Sequence, residues 1–218
     1  PATLDRKCRH ERDMKAPEFW SRPGAPLGKL LSPLGCAYSF AGALKLARIK
    51  PTRVDATIVC IGNLVTGGAG KTPVALAIAA LLKRDDLGFL TRGYGGRLAG
   101  PTRVAQATHT HVQVGDEALL LTRAAPTWVA RDRVAGARTA IGAGARMIVM
   151  DDGFQNPSLI KDVSLVVIDG ATGFGNGQLI PAGPLREPIA AGLARADAVV
   201  ISGEDQARIV ENLPASLP

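Results

Sequence analysis

Short apolar runs alternate with longer amphipathic segments over most of the 218-residue chain. The apolar runs, several of them rich in β-branched residues, predict buried strands at residues 57–61, 88–91, 127–130, 147–150, 164–168 and 198–201. The segments between them predict helices at residues 72–83, 116–123, 133–143 and 184–194. Because strands and helices alternate, the pattern predicts an α/β fold in which helices cover both faces of a mostly parallel sheet.

The chain before the first predicted strand has a different pattern. Residues 30–44 are uncharged and are flanked by four basic residues, namely Lys29, Lys45, Arg48 and Lys50. A membrane-spanning helix needs about 20 apolar residues, whereas this run is shorter and contains Pro33. We therefore expect a helix that lies on a membrane surface, with a helix packed on the folded domain as the alternative.

The location of the charge supports the membrane interpretation. Residues 1–53 hold 11 Lys and Arg against 4 Asp and Glu, which is the whole net charge of +7, and the remaining residues hold 15 of each sign. Nucleic-acid-binding proteins more often spread basic residues over the folded surface, so we expect no nucleic acid partner. A basic segment with apolar residues instead favours an anionic membrane surface. The three cysteines form no CxxC pair, which favours a reducing compartment.

A glycine-rich segment between the first predicted strand and the first helix of the sheet carries the clearest chemistry. It approaches the phosphate-binding pattern G-x-x-x-x-G-K-[ST], with Val65 in place of the first glycine. In that pattern the lysine, here Lys71, reaches the β and γ phosphates of a nucleotide, and the hydroxyl of Thr72 holds Mg²⁺. The predicted nucleotide-binding residues are Val65, Thr66, Gly67, Gly68, Ala69, Gly70, Lys71 and Thr72.

Two acidic pairs are candidate partners of this loop. Asp151 and Asp152 directly follow an apolar strand, at the sheet edge where open α/β folds bind ligands, and one of them could hold Mg²⁺. Asp116 and Glu117 open a predicted helix, where a carboxylate could act as a general base or merely interact with the helix dipole. His109 and His111 lie in a polar segment without further metal ligands nearby, so we expect them to be solvated.

Known classes of P-loop protein narrow the choice. The Asn/Thr-Lys-x-Asp tetrad that GTPases use to recognise guanine is absent from the sequence. The partition ATPases need a lysine just before the paired glycines, where this chain has Thr66. The residues alone therefore leave a kinase or an ATPase of another type.

Five segments in order make the sequence resemble one kinase family. They are residues 61–73 (IGNLVTGGAGKTP), 90–96 (LTRGYGG), 114–118 (VGDEA), 150–155 (MDDGFQ) and 179–188 (LIPAGPLREP). Together they resemble tetraacyldisaccharide 4'-kinase, over about residues 14–205. The resemblance implies transfer of the γ-phosphate of ATP, with Mg²⁺, to the 4'-hydroxyl of an acylated glucosamine disaccharide 1-phosphate, giving lipid IVA. It also implies a peripheral location at the cytoplasmic face of the inner membrane.

The resemblance also implies roles for single residues. Asp116 matches the family's catalytic base, while Glu117 and Asp151, with Asp152 beside them, match acids around Mg²⁺. The catalytic residues implied are thus Asp116, Lys71 and Asp151, and the metal ligands Thr72, Glu117, Asp151 and Asp152. Arg186 and Glu187 match positions at the substrate end of the cleft.

We expect three parts along the chain: a disordered leader at 1–13, with Met14 as the natural start, a membrane-surface helical segment at 14–53, and a P-loop kinase domain at 54–218. Family members are longer, and the resemblance implies that a second lobe, with a histidine partner for the base, is missing. Alternatives are a membrane-associated nucleotide switch and an inactive ATP-binding fragment.

Overall fold

One seven-stranded sheet organises the molecule, in the order β3-β4-β2-β5-β1-β6-β7. A computed structural model describes residues 16–214, so the predicted leader at 1–13 and Met14 lie outside the described residues. The strands are β1 (Thr57–Gly62), β2 (Leu87–Thr91), β3 (Thr102–Arg103), β4 (Thr127–Val129), β5 (Met147–Asp151), β6 (Val163–Asp169) and β7 (Ala198–Ser202). All neighbouring strands are parallel except β3 and β4, which are antiparallel.

Helices of very different length surround this sheet. They are α1 (Pro26–Ala47), α2 (Lys71–Leu82), α3 (His111–Val114), α4 (Asp116–Leu121), α5 (Arg133–Gly142) and α6 (Ile189–Leu193). Short 3-10 turns lie at Glu18–Ser21 and Val210–Asn212. Within residues 16–214, no helix combines the length and the apolar character needed to cross a membrane.

Successive residues of the central strands point to opposite faces and build two separate cores. Val59 and Ile61 of β1 pack in the core that includes Ala75 of α2 and Leu121 of α4. Ile58 and Cys60, which alternate with them, pack with buried residues of α5 and α6, namely Ala137, Ala140 and Leu193. Helices therefore cover both faces of a mostly parallel sheet, as the apolar pattern predicted.

The predicted strands agree with the structure to within one or two residues, but one helix prediction is wrong. The segment 184–194 is not helical throughout, because α6 begins only at Ile189. Residues 184–186 instead bond to the P-loop side of the molecule: the Thr66 amide donates to Pro184 O, and the Arg186 amide donates to Leu64 O. Backbone groups of residues 184–186 thus form hydrogen bonds with a distant segment instead of the helical hydrogen bonds that the sequence pattern predicted.

The long first helix, α1, contacts the domain through small residues. A Cβ added at Gly35 would lie 3.0 Å from Leu179 O, and one at Gly28 would lie 3.3 Å from Ala182 O. Several larger apolar side chains along α1 nevertheless face solvent. Exposed among them are Leu27, Leu30, Leu34, Tyr38, Phe40 and Leu44.

Candidate active site

The glycine-rich loop connects the centre of the sheet to α2. β1 ends at Gly62, and α2 begins at Lys71 after its N-cap, Gly70. Gly67 and Gly70 have φ angles of +122° and +79°, which residues with a Cβ rarely adopt. Because the N-cap has no side chain, α2 presents its first backbone N–H groups to the loop, which is the arrangement that binds phosphate.

Lys71 lies within this loop and is not a surface lysine. It is 8% exposed. Its Nζ donates to Gly67 O at 3.4 Å and lies 3.8 Å from Asp152 Oδ1. The only charge of the P-loop is therefore held between the loop backbone and the acidic end of β5, where it can meet phosphate oxygens.

Thr72 and Asp151 join the P-loop to the neighbouring strand. In the sheet, Ile61 of β1 is in register with Asp151 of β5, so both strands end at the same edge. The Thr72 hydroxyl donates to Asp151 Oδ2 at 3.1 Å. Asp151 is buried, and among the described residues its Oδ1 has no hydrogen-bond partner. Burial raises the pKa of Asp151, while the Thr72 hydrogen bond and the charge of Lys71 lower it.

These groups fit a magnesium ion that is partly held by a nucleotide. Within residues 16–214, no group of three or more His, Cys, Asp or Glu side chains could hold a metal. Mg²⁺, however, usually takes one or two protein carboxylates and fills its other positions with phosphate oxygens and water. The orphaned Oδ1 of Asp151 and the hydroxyl of Thr72 are oxygen ligands of the required type.

Asp116 and Glu117 begin α4, which packs on the same sheet face as α2. Asp116 is exposed, and its Oδ1 accepts a hydrogen bond from the Glu117 amide at 3.0 Å. Burial raises the pKa of Glu117, and the charge of Asp151 raises it further, while Lys71 opposes the shift. Glu117 therefore belongs to the same electrostatic cluster as the P-loop lysine and the acid of β5.

Two glycines fix the start of α4 against the loop after β2. Gly115 has a φ angle of +85°, and a Cβ there would lie 2.4 Å from Tyr94 O. A Cβ on Gly96 would lie 2.7 Å from Gln113 O. This contact between two backbones explains how the segments 90–96 and 114–118 together position Asp116.

Arg186 and Glu187 are connected to the acidic loop after β5. Arg186 Nη1 lies 3.1 Å from Asp152 Oδ1, so this carboxylate faces both Arg186 and Lys71. Gln155 Nε2 donates to Glu187 Oε1 at 3.1 Å, and Arg195 forms an ion pair with the other oxygen of Glu187. The structure thus places both residues beside the P-loop cluster, which consists of Lys71, Thr72, Asp151 and Asp152.

Three further polar residues lie in this region but are not among the site residues predicted from the sequence. Asn63 is buried at the end of β1, and its Nδ2 donates to Gly67 O at 3.2 Å. Gln155 donates to Asn63 O at 2.8 Å. Asn63 and Gln155 follow apolar strands and lie in the segments 61–73 and 150–155 that resemble the kinase family, so their positions could have indicated a role. Arg133 is 2% exposed, and no local pattern indicates its burial.

Proteins of known family are similar to this chain in sequence. A model of the family described as Tetraacyldisaccharide-1-P 4'-kinase matches residues 27–216. The tetraacyldisaccharide 4'-kinase of Rhodospirillum centenum is 53% identical over 211 residues, which are 94% of this chain and 63% of the relative. The enzyme of that name from Rhodospirillum rubrum is 54% identical over 207 residues, which are 94% of this chain and 61% of the relative.

A solved structure agrees with these sequence matches. The crystal structure of LpxK from Aquifex aeolicus in complex with ATP matches with a TM-score of 0.72 at 27% identity, over 81% of this chain and 59% of that one. The chain spans about 60% of the length of the curated relatives it matches. Since the family model covers most of the sequence, the chain belongs to the tetraacyldisaccharide-1-P 4'-kinase family.

Proposed function

We propose that this chain takes part in the ATP-dependent phosphorylation of the 4'-hydroxyl of tetraacyldisaccharide 1-phosphate, giving lipid IVA. The observation that carries the proposal is the P-loop, whose Lys71 and Thr72 lie against Asp152 and Asp151 in a chain of this family. The relatives' name states the acceptor, and the solved relative contains ATP.

Each residue has a defined part in this proposal. The P-loop amides and Lys71 would bind the β and γ phosphates. Thr72, Glu117, Asp151 and Asp152 would hold Mg²⁺, and Asp152 also faces Lys71 and Arg186. Mg²⁺, when bound, supplies positive charge that neutralises the phosphate oxygens. Asp116 accepts the proton of the sugar hydroxyl as its oxygen bonds to the γ-phosphorus and ADP leaves. Arg186 and Glu187 bind the acceptor at the cleft.

The test is acceptor-dependent phosphoryl transfer by a version of the protein extended to the length of its relatives. We expect ATP consumption to require the acyl disaccharide 1-phosphate and to fall by at least about 10²-fold in Lys71→Ala, because the charge on the phosphates is lost. Lys83→Ala, at an exposed position after the same helix, is the matched control. ATP turnover that ignores the lipid would instead indicate a nucleotide switch.

The proposal includes a peripheral position on the anionic cytoplasmic face of the inner membrane, mediated by the segment 14–53. Leu30 and Phe40 of α1 are 74% and 72% exposed. Lys29, Arg48 and Lys50 lie at or near the ends of this apolar surface. Apolar side chains with flanking basic residues match the composition of helices that bind in the headgroup region of anionic bilayers.

Vesicle flotation tests the membrane contact. Leu30→Glu with Phe40→Glu should lower binding to vesicles of anionic phospholipid by at least about 10-fold, because apolar burial is lost and like charges are introduced. Leu81→Glu is the control, since Leu81 is 81% exposed on α2. Binding of the native chain should also weaken as salt rises. If the double variant of α1 floats with vesicles as well as Leu81→Glu does, α1 packs on the domain and does not bind the membrane.

A further inference from the structure

The turn that carries Asp152 has an unusual backbone that needs support. Asp152 has a φ angle of +53°, which is uncommon for a residue with a side chain. The next residue, Gly153, packs so closely on Met150 that a Cβ would lie 2.5 Å from its Cε. Phe154 is buried against Gly62 at the end of β1. The turn 152–154 is therefore packed tightly beneath the P-loop cluster.

A buried arginine supports this turn from below. Arg133, at the start of α5, is 2% exposed. Its Nη1 donates to Ala130 O at 2.6 Å, and its Nη2 donates to Asp152 O at 3.4 Å. The planar guanidinium thus joins the end of β4 to the turn after β5, which a single-point donor could not do at both carbonyls.

A lysine supports the other end of the turn. Lys161 Nζ donates to Phe154 O at 2.5 Å, and the same nitrogen lies 5.4 Å from the centre of the Phe154 ring. Both cations act on the buried Cys60: burial raises the pKa of its thiol to about 11, although the charges of Lys161 and Arg133 lower it. The carbonyls at both ends of the turn are therefore satisfied by charged side chains that project from elsewhere in the fold.

Two buried cations destabilise the fold unless their hydrogen bonds compensate for the loss of hydration. Burial lowers the pKa of Arg133 and of Lys161, which shows that each charged form is penalised by desolvation. An apolar side chain of similar volume would avoid that penalty, but it could not donate to the carbonyls of the turn. Neither cation makes a hydrogen bond to a side chain of the P-loop cluster among the described residues.

We propose that Arg133 and Lys161 are positioning residues that hold the turn 152–154, and with it the carboxylates of Asp151 and Asp152, in the geometry that receives Mg²⁺ with the nucleotide. The inference rests on the proposed function for the identity of the ligand. Support behind a metal-binding group is commonly worth 10- to 100-fold in metal affinity. Neither residue needs to touch ATP, the ion or the acceptor.

The experiment measures binding rather than turnover, on the 218-residue chain itself. ATP affinity is determined by calorimetry with Mg²⁺ and with EDTA, and Mn²⁺ binding beside a non-hydrolysable ATP analogue is followed by electron paramagnetic resonance. In Arg133→Lys and Lys161→Met we expect the metal-dependent gain in ATP affinity and the Mn²⁺ affinity to fall by roughly 10-fold or more. ATP binding in EDTA should change less than about 3-fold.

Arg138→Met is the matched control, because Arg138 lies exposed on the same helix as Arg133. Thermal unfolding of each variant sets a temperature at which it is folded, and Arg133→Lys keeps the charge so that a folded variant is available. Unchanged metal dependence in folded variants would overturn the proposal and leave a stabilising role only. An equal loss in EDTA would also overturn it, because the cations would then support the P-loop itself. Absence of acceptor-dependent transfer would contradict the proposed function but not this result.

Discussion

Asp151 combines complete burial with a charge that the described residues only half satisfy. One carboxylate oxygen accepts from Thr72, and the other has no partner within residues 16–214. Burial raises its pKa above the ordinary value of 3.8. A buried charge with an unsatisfied oxygen destabilises the fold, and a cation bound at that oxygen would remove the penalty. Asp151 therefore suits a cation site but lowers the stability of the fold while no cation is bound.

Asp151→Asn should separate the destabilisation caused by the buried charge from the stabilisation that a bound cation provides. Because the folded pKa is raised, protonation of Asp151 stabilises the fold at low pH, and this contribution is lost as pH rises through the folded pKa. Without ligand, the variant should therefore melt at a higher temperature than the native chain at pH 7.5. The difference should be a few degrees, since 1 kcal/mol corresponds to roughly 2–4 °C in a chain of this size.

The same Asp151→Asn variant should lose ligand stabilisation. Addition of Mg²⁺ with ATP should raise the melting temperature of the native chain far more than that of the variant, and the difference without ligand should shrink towards pH 4. Calorimetric scans at several pH values provide the measurement. A variant that melts below the native chain at pH 7.5 without ligand would show that the Thr72 contact outweighs desolvation.

Thr72 allows a test of the hydroxyl alone. Thr72→Ser keeps the donor that lies 3.1 Å from Asp151, whereas Thr72→Val keeps the shape and removes it. We expect Val to lower phosphoryl transfer by at least about 10²-fold and Ser to stay within about 5-fold, because placement of the metal depends on the hydroxyl. Steady-state transfer rates in the extended protein provide the comparison. Similar rates in Val and Ser would exclude the hydroxyl as a metal ligand.

The turn before α4 shows how one connection positions a candidate catalytic residue. Gly115 has a left-handed φ of +85°, and a Cβ there would meet Tyr94 O at 2.4 Å. Gly115→Ala should therefore destabilise the chain by about 1–3 kcal/mol. Gly142→Ala is the control, because no atom lies within 4 Å of its added Cβ and alanine favours a helix. Urea unfolding measures both, and a neutral Gly115→Ala would mean that the two backbones separate at little cost.

Elements with long apolar runs could be predicted from the sequence, whereas short or paired segments could not. β1, β5 and β6 are buried on both faces of the sheet, so their apolar runs are continuous and easily recognised. β3 has two polar residues and exists only through pairing with β4. The four-residue α3 has no apolar period, although the capping box of Thr110 and Gln113 was a readable signal.

The candidate site likewise contains residues that local sequence patterns predict and a residue that they do not. Lys71, Thr72 and Asp151 were predicted because their local pattern is tied to a strand end or a helix start, and the structure brings them together. Arg133 follows an ordinary N-cap aspartate and resembles a surface residue in sequence. Its burial depends on the turn after β5, which is distant along the chain, so no local pattern could reveal it.

Over the molecule as a whole, charge and chemistry occupy different parts of the chain. The net charge of +7 comes from residues 1–53, while the P-loop, the acids and Arg186 lie on a body of balanced charge. α1 touches this body at residues 179–182, close in sequence to Arg186. In the proposed function, a membrane-bound α1 would therefore hold the loop that carries Arg186 near the bilayer, where the proposed acylated acceptor would lie.

Asp116 differs from the other acids because it is exposed and makes its hydrogen bond only to the neighbouring Glu117 amide among the described residues. A sugar hydroxyl is a poor nucleophile, and a positioned carboxylate that takes its proton can contribute roughly 10² to 10⁴ in rate. In the protein extended to the length of its relatives, Asp116→Asn should lower kcat by that factor and leave ATP affinity within about 3-fold. Glu117→Gln, one residue further into α4 and within the electrostatic cluster of Lys71 and Asp151, should instead weaken metal-dependent ATP binding. Single-turnover transfer and equilibrium binding, measured on both variants, separate the two roles. Loss of ATP affinity with normal kcat in Asp116→Asn would assign Asp116 to the nucleotide site and require another base.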